Sequence, residues 1–154
     1  MSGRMYSAIF EKVAATAAQD LFEVVAPSTA IVVVHALYLS QDTEEGDAQS
    51  EMLSLLIHRG TATGSGGTSE TPNPLDPGDS AFGGTCEVNN TTQSVEGTHL
   101  HSDAWNVQIP YQMVWTPETR PVVPPSGLFI VELQDAPADS VTISGTLYFE
   151  EMGT

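Results

Sequence analysis

The sequence has 154 residues, 40% of them hydrophobic, which is enough for one domain with a hydrophobic core. Twenty acidic residues face four basic ones, and the formal net charge at pH 7 is −16. This excess of negative charge repels phosphate groups, so it excludes nucleic acid and anionic membrane as partners. It favours solubility through self-repulsion, attraction to a basic protein partner, or both.

The cysteine content and the N-terminus bear on where the chain is made. Cys86 is the single cysteine, so an internal disulfide framework is excluded. The N-terminal residues have no apolar run long enough for a signal peptide, and no stretch of 18 apolar residues exists. We therefore expect synthesis in a cytoplasm, in soluble form.

Patterns typical of β-strands follow one another along the chain. In residues 4–13, Met5, Ile9 and Val13 are separated by even numbers of positions, as expected of residues on one face of a strand. The unbroken apolar run of 29–41 is typical of a central strand buried on both faces. Residues 140–152 alternate most clearly, with one face formed by Val141, Ile143, Gly145, Leu147 and Phe149. The full set of predicted strands is 4–13, 19–27, 29–41, 50–60, 84–89, 102–110, 111–117, 127–135 and 140–152.

One segment competes with this all-β interpretation. The alanines of 10–24 raise its helix propensity, so a turn or short helix is expected across Ala14–Ala18. Turn residues separate the other segments, and we find no repeat and no domain boundary. We predict an all-β fold: one jelly-roll-like β-sandwich domain over 1–154, with eight to ten short strands.

A long Gly/Pro-rich loop at about 60–85 is the most unusual stretch. Residues 58–85 contain seven glycines and three prolines. No lysine follows Gly60, Gly64, Gly66 or Gly67, and no helix is predicted after them, so the segment is not a phosphate-binding loop. Loops of this length are usually functional or disordered. We predict that this one makes contacts with a partner.

The best metal candidate is His99 with His101. Two residues apart on a strand, they would share a face, and a Gly followed by His-x-His resembles the opening of the cupin motif. The motif also requires a glutamate a few residues later, where this chain has Asp103, Ala104 and Trp105, and a late histidine, which is absent after His101. We therefore predict no metal and no cofactor.

Other candidates for chemistry are weak. Cys86 has no histidine at a spacing typical of nucleophilic catalysis, and we expect a buried structural thiol. The acidic run 41–51 lacks the regular spacing of a calcium loop, and we expect a solvated hairpin tip. Four aromatic residues are typical of core or interface positions, although they also suit a sugar groove: Trp105, Trp115, Tyr111 and Tyr148. We predict no catalytic residue and no enzymatic activity.

Three stretches of the chain carry a resemblance of pattern: 5–27, 81–94 and 124–153. Together they resemble small structural proteins of tailed bacteriophages, of the capsid decoration or cement type. The resemblance implies a compact β-sandwich that sits on the outside of a phage head, often as a trimer, and stabilises contacts between capsomers. It implies two partners, the major capsid protein and further copies of the same chain, and a location on the virion surface.

The contact residues that we predict lie in two segments. Arg4, Met5 and Tyr6 belong to an N-terminus that carries two of the four bases, and Leu75 and Phe82 supply apolar side chains to the long loop. We expect deletion of residues 1–6 to leave the fold intact, and the acidic run 41–51 to face solvent. Alternative functions are a tail or head–tail junction protein, a cupin-like metal-binding protein and a carbohydrate-binding sandwich.

Overall fold

The computed structural model describes residues 3–42 and 50–153, and these form twelve β-strands without a helix. Each of the nine predicted ranges overlaps one strand, while β5, β6 and β10, of two or three residues each, were not predicted. The strands are β1 (Arg4–Ala15), β2 (Gln19–Val25), β3 (Ala30–Gln41), β4 (Met52–His58), β5 (Thr68–Glu70), β6 (Asn73–Pro74), β7 (Thr85–Asn90), β8 (His99–Asn106), β9 (Tyr111–Val114), β10 (Val122–Val123), β11 (Leu128–Leu133) and β12 (Val141–Gly153).

The strands pair into two antiparallel sheets. Sheet A has the order β10-β3-β12-β1-β6, with β9 also pairing with β3, and sheet B has the order β5-β7-β2-β11-β4-β8. Without the short strands and β7, the orders are β1-β12-β3-β9 and β2-β11-β4-β8. Consecutive long strands thus alternate between the sheets, except β4 and β8, which pair with each other within sheet B. This is the double Greek-key arrangement of a jelly roll, and the predicted all-β sandwich is confirmed.

The core lies between the sheets and follows the alternation of the sequence. In β12 the predicted inward set, from Val141 to Phe149, is buried, and the residues between are half-buried. From sheet B, Phe22, Phe129 and Trp105 pack against the same core. A period of two with one buried face thus decides which residues of β12 face inward.

Two details of β1 differ from the prediction. The strand runs to Ala15 and β2 begins at Gln19, so the alanine-rich segment forms a tight connection without a helix. A β-bulge between Phe10 and Val13 contains Lys12, whose φ is 51°. Since a bulge inserts a residue and changes the parity, Val13 packs against the core while Ile9 lies on the outer face.

The prediction for β3 was half right. It is central, between β12 on one side and β9 and β10 on the other. However, its burial alternates, and Ile31, Val33 and Tyr38 stay half-exposed on the outer face of sheet A. The isolated chain therefore buries one face of this apolar strand, where the sequence predicted two.

The long loop at 60–85 is packed on its own chain. It contains β5, which pairs with β7, and β6, which pairs with β1, so it wraps around one edge of the sandwich. Its glycines permit close backbone approach. A Cβ at Gly67 would lie 2.3 Å from the carbonyl oxygen of Val88, and one at Gly84 would lie 2.1 Å from that of Val25. These glycines are required by packing.

Candidate functional site

The predicted contact residues come together at one end of the sandwich. Residues 73–75 run along the free edge of β1: Tyr6 pairs with Pro74, and the Leu75 amide donates to the Met5 carbonyl at 2.8 Å. Leu75 is 53% exposed, whereas Tyr6 is fully buried. We call the surface formed by Arg4, Met5, Leu75, Asp76 and Asp79 the terminal patch.

An aromatic cluster supports the terminal patch from below. The ring of Phe82 lies 5.5 Å from that of Tyr6 and 5.0 Å from that of Phe149, and the Tyr6 hydroxyl donates to the Ser80 carbonyl at 2.8 Å. Tyr6 and Phe82 therefore fix the loop against β1. Of the two, Tyr6 offers no surface to a partner.

A buried carboxylate ties the two segments together. Glu151 of β12 is 4% exposed; it pairs with Arg4 and accepts a hydrogen bond from the Gly83 amide at 2.8 Å. The hydrogen bond and charge of Glu151 raise the pKa of Arg4. The terminal patch surrounds a shallow hollow of about 470 Å³, in which Asp76 and Asp79 add negative charge beside the apolar side chains.

The structure argues against the expectation that residues 1–6 can be deleted with the fold intact. Arg4, Met5 and Tyr6 belong to β1 and pair with Glu151, Glu150 and Phe149 of β12. Deletion would remove a fully buried tyrosine and one partner of the Arg4–Glu151 ion pair.

A second surface is the outer face of sheet A. Cross-strand pairing places its residues in rows; one runs from Ile9 through Thr146 and Tyr38 to Gln112. In the next, Tyr148 stands beside Tyr38 with their rings 5.9 Å apart, and Val114 is 56% exposed. We call this surface the open face. It comprises Met5, Ser7, Ile9, Ile31, Val33, His35, Tyr38, Gln112, Val114, Val122, Thr146, Tyr148, Glu150 and Met152.

At one end of the open face lies a trough of about 350 Å³ that crosses β1, β12, β3 and β9. Short side chains such as Ser40 and Ser144 line it together with Tyr38, Glu11 and Gln112. It adjoins the bulge of β1, whose Lys12 amide donates to Ser144 Oγ at 3.0 Å.

The outer face of sheet B is covered by the chain itself. Residues 59–67 and 91–98, which we call the flap, pair through bridges between Ala62 and Val95 and between Ser65 and Thr92. Beneath the flap lies a buried polar layer, which consists of Asp20, Glu23, His58 and Glu132. The two outer faces of the sandwich thus differ, because the flap covers one and no described residue covers the other.

Carboxylates of the polar layer hold the flap in place. Glu23 Oε2 accepts from the Gly64 amide at 2.7 Å, and Asp20 Oδ2 accepts from the Ser94 amide at 2.6 Å. Glu132 accepts from Gln93 at 2.7 Å and lies 3.1 Å from His58 Nε2. Burial raises the pKa of Asp20, Glu23 and Glu132, because it disfavours the charged form.

Sequence reasoning missed the polar layer, although a signal was present. Glu23 lies between Phe22 and Val24, Glu132 lies between Val131 and Leu133, and an acid among apolar strand residues requires a specific partner when it is buried. The partner amides belong to the flap, whose position no local pattern revealed.

The remaining candidates lie apart from one another. His99 is exposed and pairs with Glu96 at 2.8 Å, whereas His101 lies 3.5 Å from Asp103. Among residues 3–42 and 50–153, no group of three His, Cys, Asp or Glu side chains is placed to hold a metal ion. Cys86 is buried as predicted, and burial raises the pKa of its thiol.

The candidate aromatic residues divide between core and surface. Trp105, Trp115 and Tyr111 are buried in the core, while Tyr148 lies on the open face. The acidic run 41–51 lies largely outside the described residues, which include its first two positions, Gln41 and Asp42, and its last two, Ser50 and Glu51. In the described parts of the chain, no helix has the length and apolarity needed to cross a membrane.

Comparison of the chain with protein-family models, with curated proteins and with solved structures gives no match. The geometry of these surfaces is therefore the basis for assigning a function.

Proposed function

We propose that this chain is a non-enzymatic structural protein of a virion, a decoration (cement) protein that binds the outside of a phage head. Its partners are the major capsid protein and further copies of itself, with a trimer as the first expectation. The proposal is supported by the resemblance of pattern along the chain and by a compact jelly roll, an architecture found in viral capsid domains.

The terminal patch is the observation that carries the proposal. It combines an exposed leucine, a methionine and two aspartates around one hollow, supported by buried aromatic rings. Exposed ion pairs contribute only about 0–1 kcal/mol each, so durable attachment also requires apolar burial. Leu75 and Met5 offer apolar area, while Asp76 and Asp79 suit a basic segment of a capsid protein.

The test uses particles assembled without the chain, to which purified protein is added. We expect Leu75→Asp to lower the occupancy of the particles about tenfold or more, because it places a charge in the apolar part of the contact. Met52→Asp is the matched control, since Met52 is 60% exposed and is remote in sequence from both segments of the terminal patch.

The outcomes separate the function from the surface. Equal occupancy of the particles by the wild-type protein and by Leu75→Asp would show that the terminal patch does not form the contact. Failure of the wild-type protein to bind any part of the particle would overturn the virion role itself. Binding restricted to tails or to the head–tail junction would favour that alternative location.

The trough favours one function of a different class, the binding of a neutral saccharide. Tyr38 offers a ring face, and Ser40 and Gln112 offer hydrogen-bonding groups in a cavity of about 350 Å³. Titration with maltotriose and cellotriose, followed by NMR, tests this alternative. Saturable shifts that Tyr38→Ala abolishes would support it, and their absence would count against it.

A further inference from the structure

The open face has few charges for a chain of this composition. The chain carries twenty acids, yet the rows of the open face contain a single carboxylate, Glu150, while Glu11 lines the trough at one end and Asp42 accepts from Ser144 Oγ there. His35 Nε2 lies 3.1 Å from Glu150 Oε2, so even this carboxylate has a partner within the face. Tyrosine and methionine are present at Tyr38, Tyr148 and Met152. Depletion of charge and enrichment in Tyr and Met are typical of the centres of protein–protein interfaces.

The sequence of β3 points to the same surface. Its unbroken apolar run is typical of a strand buried on both faces, but Ile31 and Val33 remain half-exposed in the single chain. In sheet B, the flap covers the equivalent face of β2, β11 and β4, and their residues are almost all buried. Sheet A has no such cover among the described residues. Its β3 therefore has the sequence of a covered strand and an outer face that residues 3–42 and 50–153 leave open.

The open face has two possible occupants, a basic partner protein and a second copy of this chain, and the charge of the face decides between them. A basic partner would require several unpaired acids on the surface that it meets, and the open face offers Glu150, which is paired with His35, and Glu11 at the trough at its end. A second copy brings a surface with equally few charges. Association through the open face would then bury apolar area while most of the acids remain in solvent, where repulsion between copies is screened by salt.

We propose that copies of this chain associate through the open face of sheet A. Closed symmetric assemblies are the usual form of such self-association. The inference deepens the proposed function, in which self-association is expected, but it concerns purified protein without a capsid. Met5 belongs to both surfaces, whereas Leu75, Asp76 and Asp79 of the terminal patch lie outside the open face and stay available for a different partner.

Two valines provide a matched test. Val114 lies on the open face and Val95 lies on the flap over sheet B, and both are 56% exposed. Val114→Glu and Val95→Glu therefore introduce the same charge at the same exposure on opposite faces. Sedimentation equilibrium of each protein over a wide concentration range measures the mass relative to the 16.4 kDa chain.

We expect the wild-type protein to sediment as a multiple of the chain mass. Val114→Glu should weaken association at least about tenfold, because burial of an unpaired carboxylate costs more than the ~1.4 kcal/mol that a tenfold change represents. Val95→Glu should associate as the wild type does. Circular dichroism shows whether Val114→Glu folds. If it does not, Val122→Glu takes its place, because Val122 lies on the same face in β10 and is 42% exposed. We expect Val122→Glu to weaken association in the same way.

Two results would overturn the inference. One is a wild-type protein that stays monomeric at every concentration, and the other is association weakened by Val95→Glu as much as by the variants of the open face. A monomer that still occupies phage particles would remove this inference and leave the proposed function standing. An oligomer that forms through the open face but binds no particle would support this inference and overturn the proposed function.

Discussion

Gly67 lies where the flap meets β5, and its missing side chain permits contact with the backbone of β7. A Cβ there would be 2.3 Å from the Val88 carbonyl oxygen and 2.4 Å from Asn90 Oδ1. Backbone cannot move away cheaply, so we expect Gly67→Ala to lower the free energy of unfolding by roughly 1–3 kcal/mol. Gly153→Ala is the control, since no atom lies within 4 Å of a Cβ at that position. Urea denaturation of both variants measures the difference, and an equal effect would contradict the packing role of Gly67.

The buried carboxyls Asp20, Glu23 and Glu132 predict a pH dependence of stability. Their pKa values are raised in the fold, so the folded state binds protons more tightly than the unfolded chain does. The resulting stabilisation is complete below the unfolded pKa values of about 3.9 for Asp and 4.3 for Glu, and it is lost as the pH rises through the folded values. We therefore expect their contribution to the free energy of unfolding to fall as the pH is raised above about 4.

Glu23→Gln tests this linkage, because an amide oxygen can still accept from the Gly64 amide but does not titrate. We expect this variant to show a weaker dependence of stability on pH, while Glu118→Gln, at an exposed position, keeps the wild-type dependence. Denaturation at a series of pH values gives the slopes. Identical slopes for Glu23→Gln and the wild type would rule out a contribution from Glu23.

At the scale of elements, β1 is held by β12 along one edge and by the long loop along the other. Tyr6 connects both, through its ring contacts with Phe82 and Phe149. We expect Tyr6→Ala to cost roughly 3–5 kcal/mol of stability, as for other large aromatic residues removed from a core. Tyr6→Phe loses only the hydrogen bond to Ser80, and we expect it to cost about 1 kcal/mol. Thermal denaturation of both variants measures these losses of stability. If Tyr6 were a surface residue, Tyr6→Ala and Tyr6→Phe would have equal and small effects.

At the scale of the whole molecule, the net charge of −16 opposes the compact state through self-repulsion. Salt screens that repulsion, so we expect added sodium chloride to raise the melting temperature. Each kcal/mol of repulsion relieved corresponds to about 2–4 °C for a domain of this size. The measurement is a thermal melt at increasing ionic strength, at a protein concentration where the oligomeric state does not change. A melting temperature that falls with salt would indicate that attractive ion pairs dominate.

The sequence by itself determined the positions of the nine longer strands and, in β12, which residues face the core. It could do so because a period of two along one strand is a local property, and the alternation from Val141 to Phe149 needs no knowledge of the neighbouring strand. The burial of Cys86 and the class of fold followed from the same local patterns. The five predicted contact residues also lie close together, with Arg4, Met5 and Leu75 at the surface and Phe82 and the buried Tyr6 beneath it.

The tertiary structure alone decided how distant segments meet. The bulge at Lys12 turned Val13 inward, and the pairing of β6 with β1 placed Leu75 beside Met5. The flap buried Glu23 beneath amides that lie 41 residues away in the chain. Contacts of this kind depend on which strands become neighbours, and that choice is made by the burial of the whole core. For the same reason, only the assembled sheets reveal that the flap covers the outer face of sheet B while the described residues leave that of sheet A open.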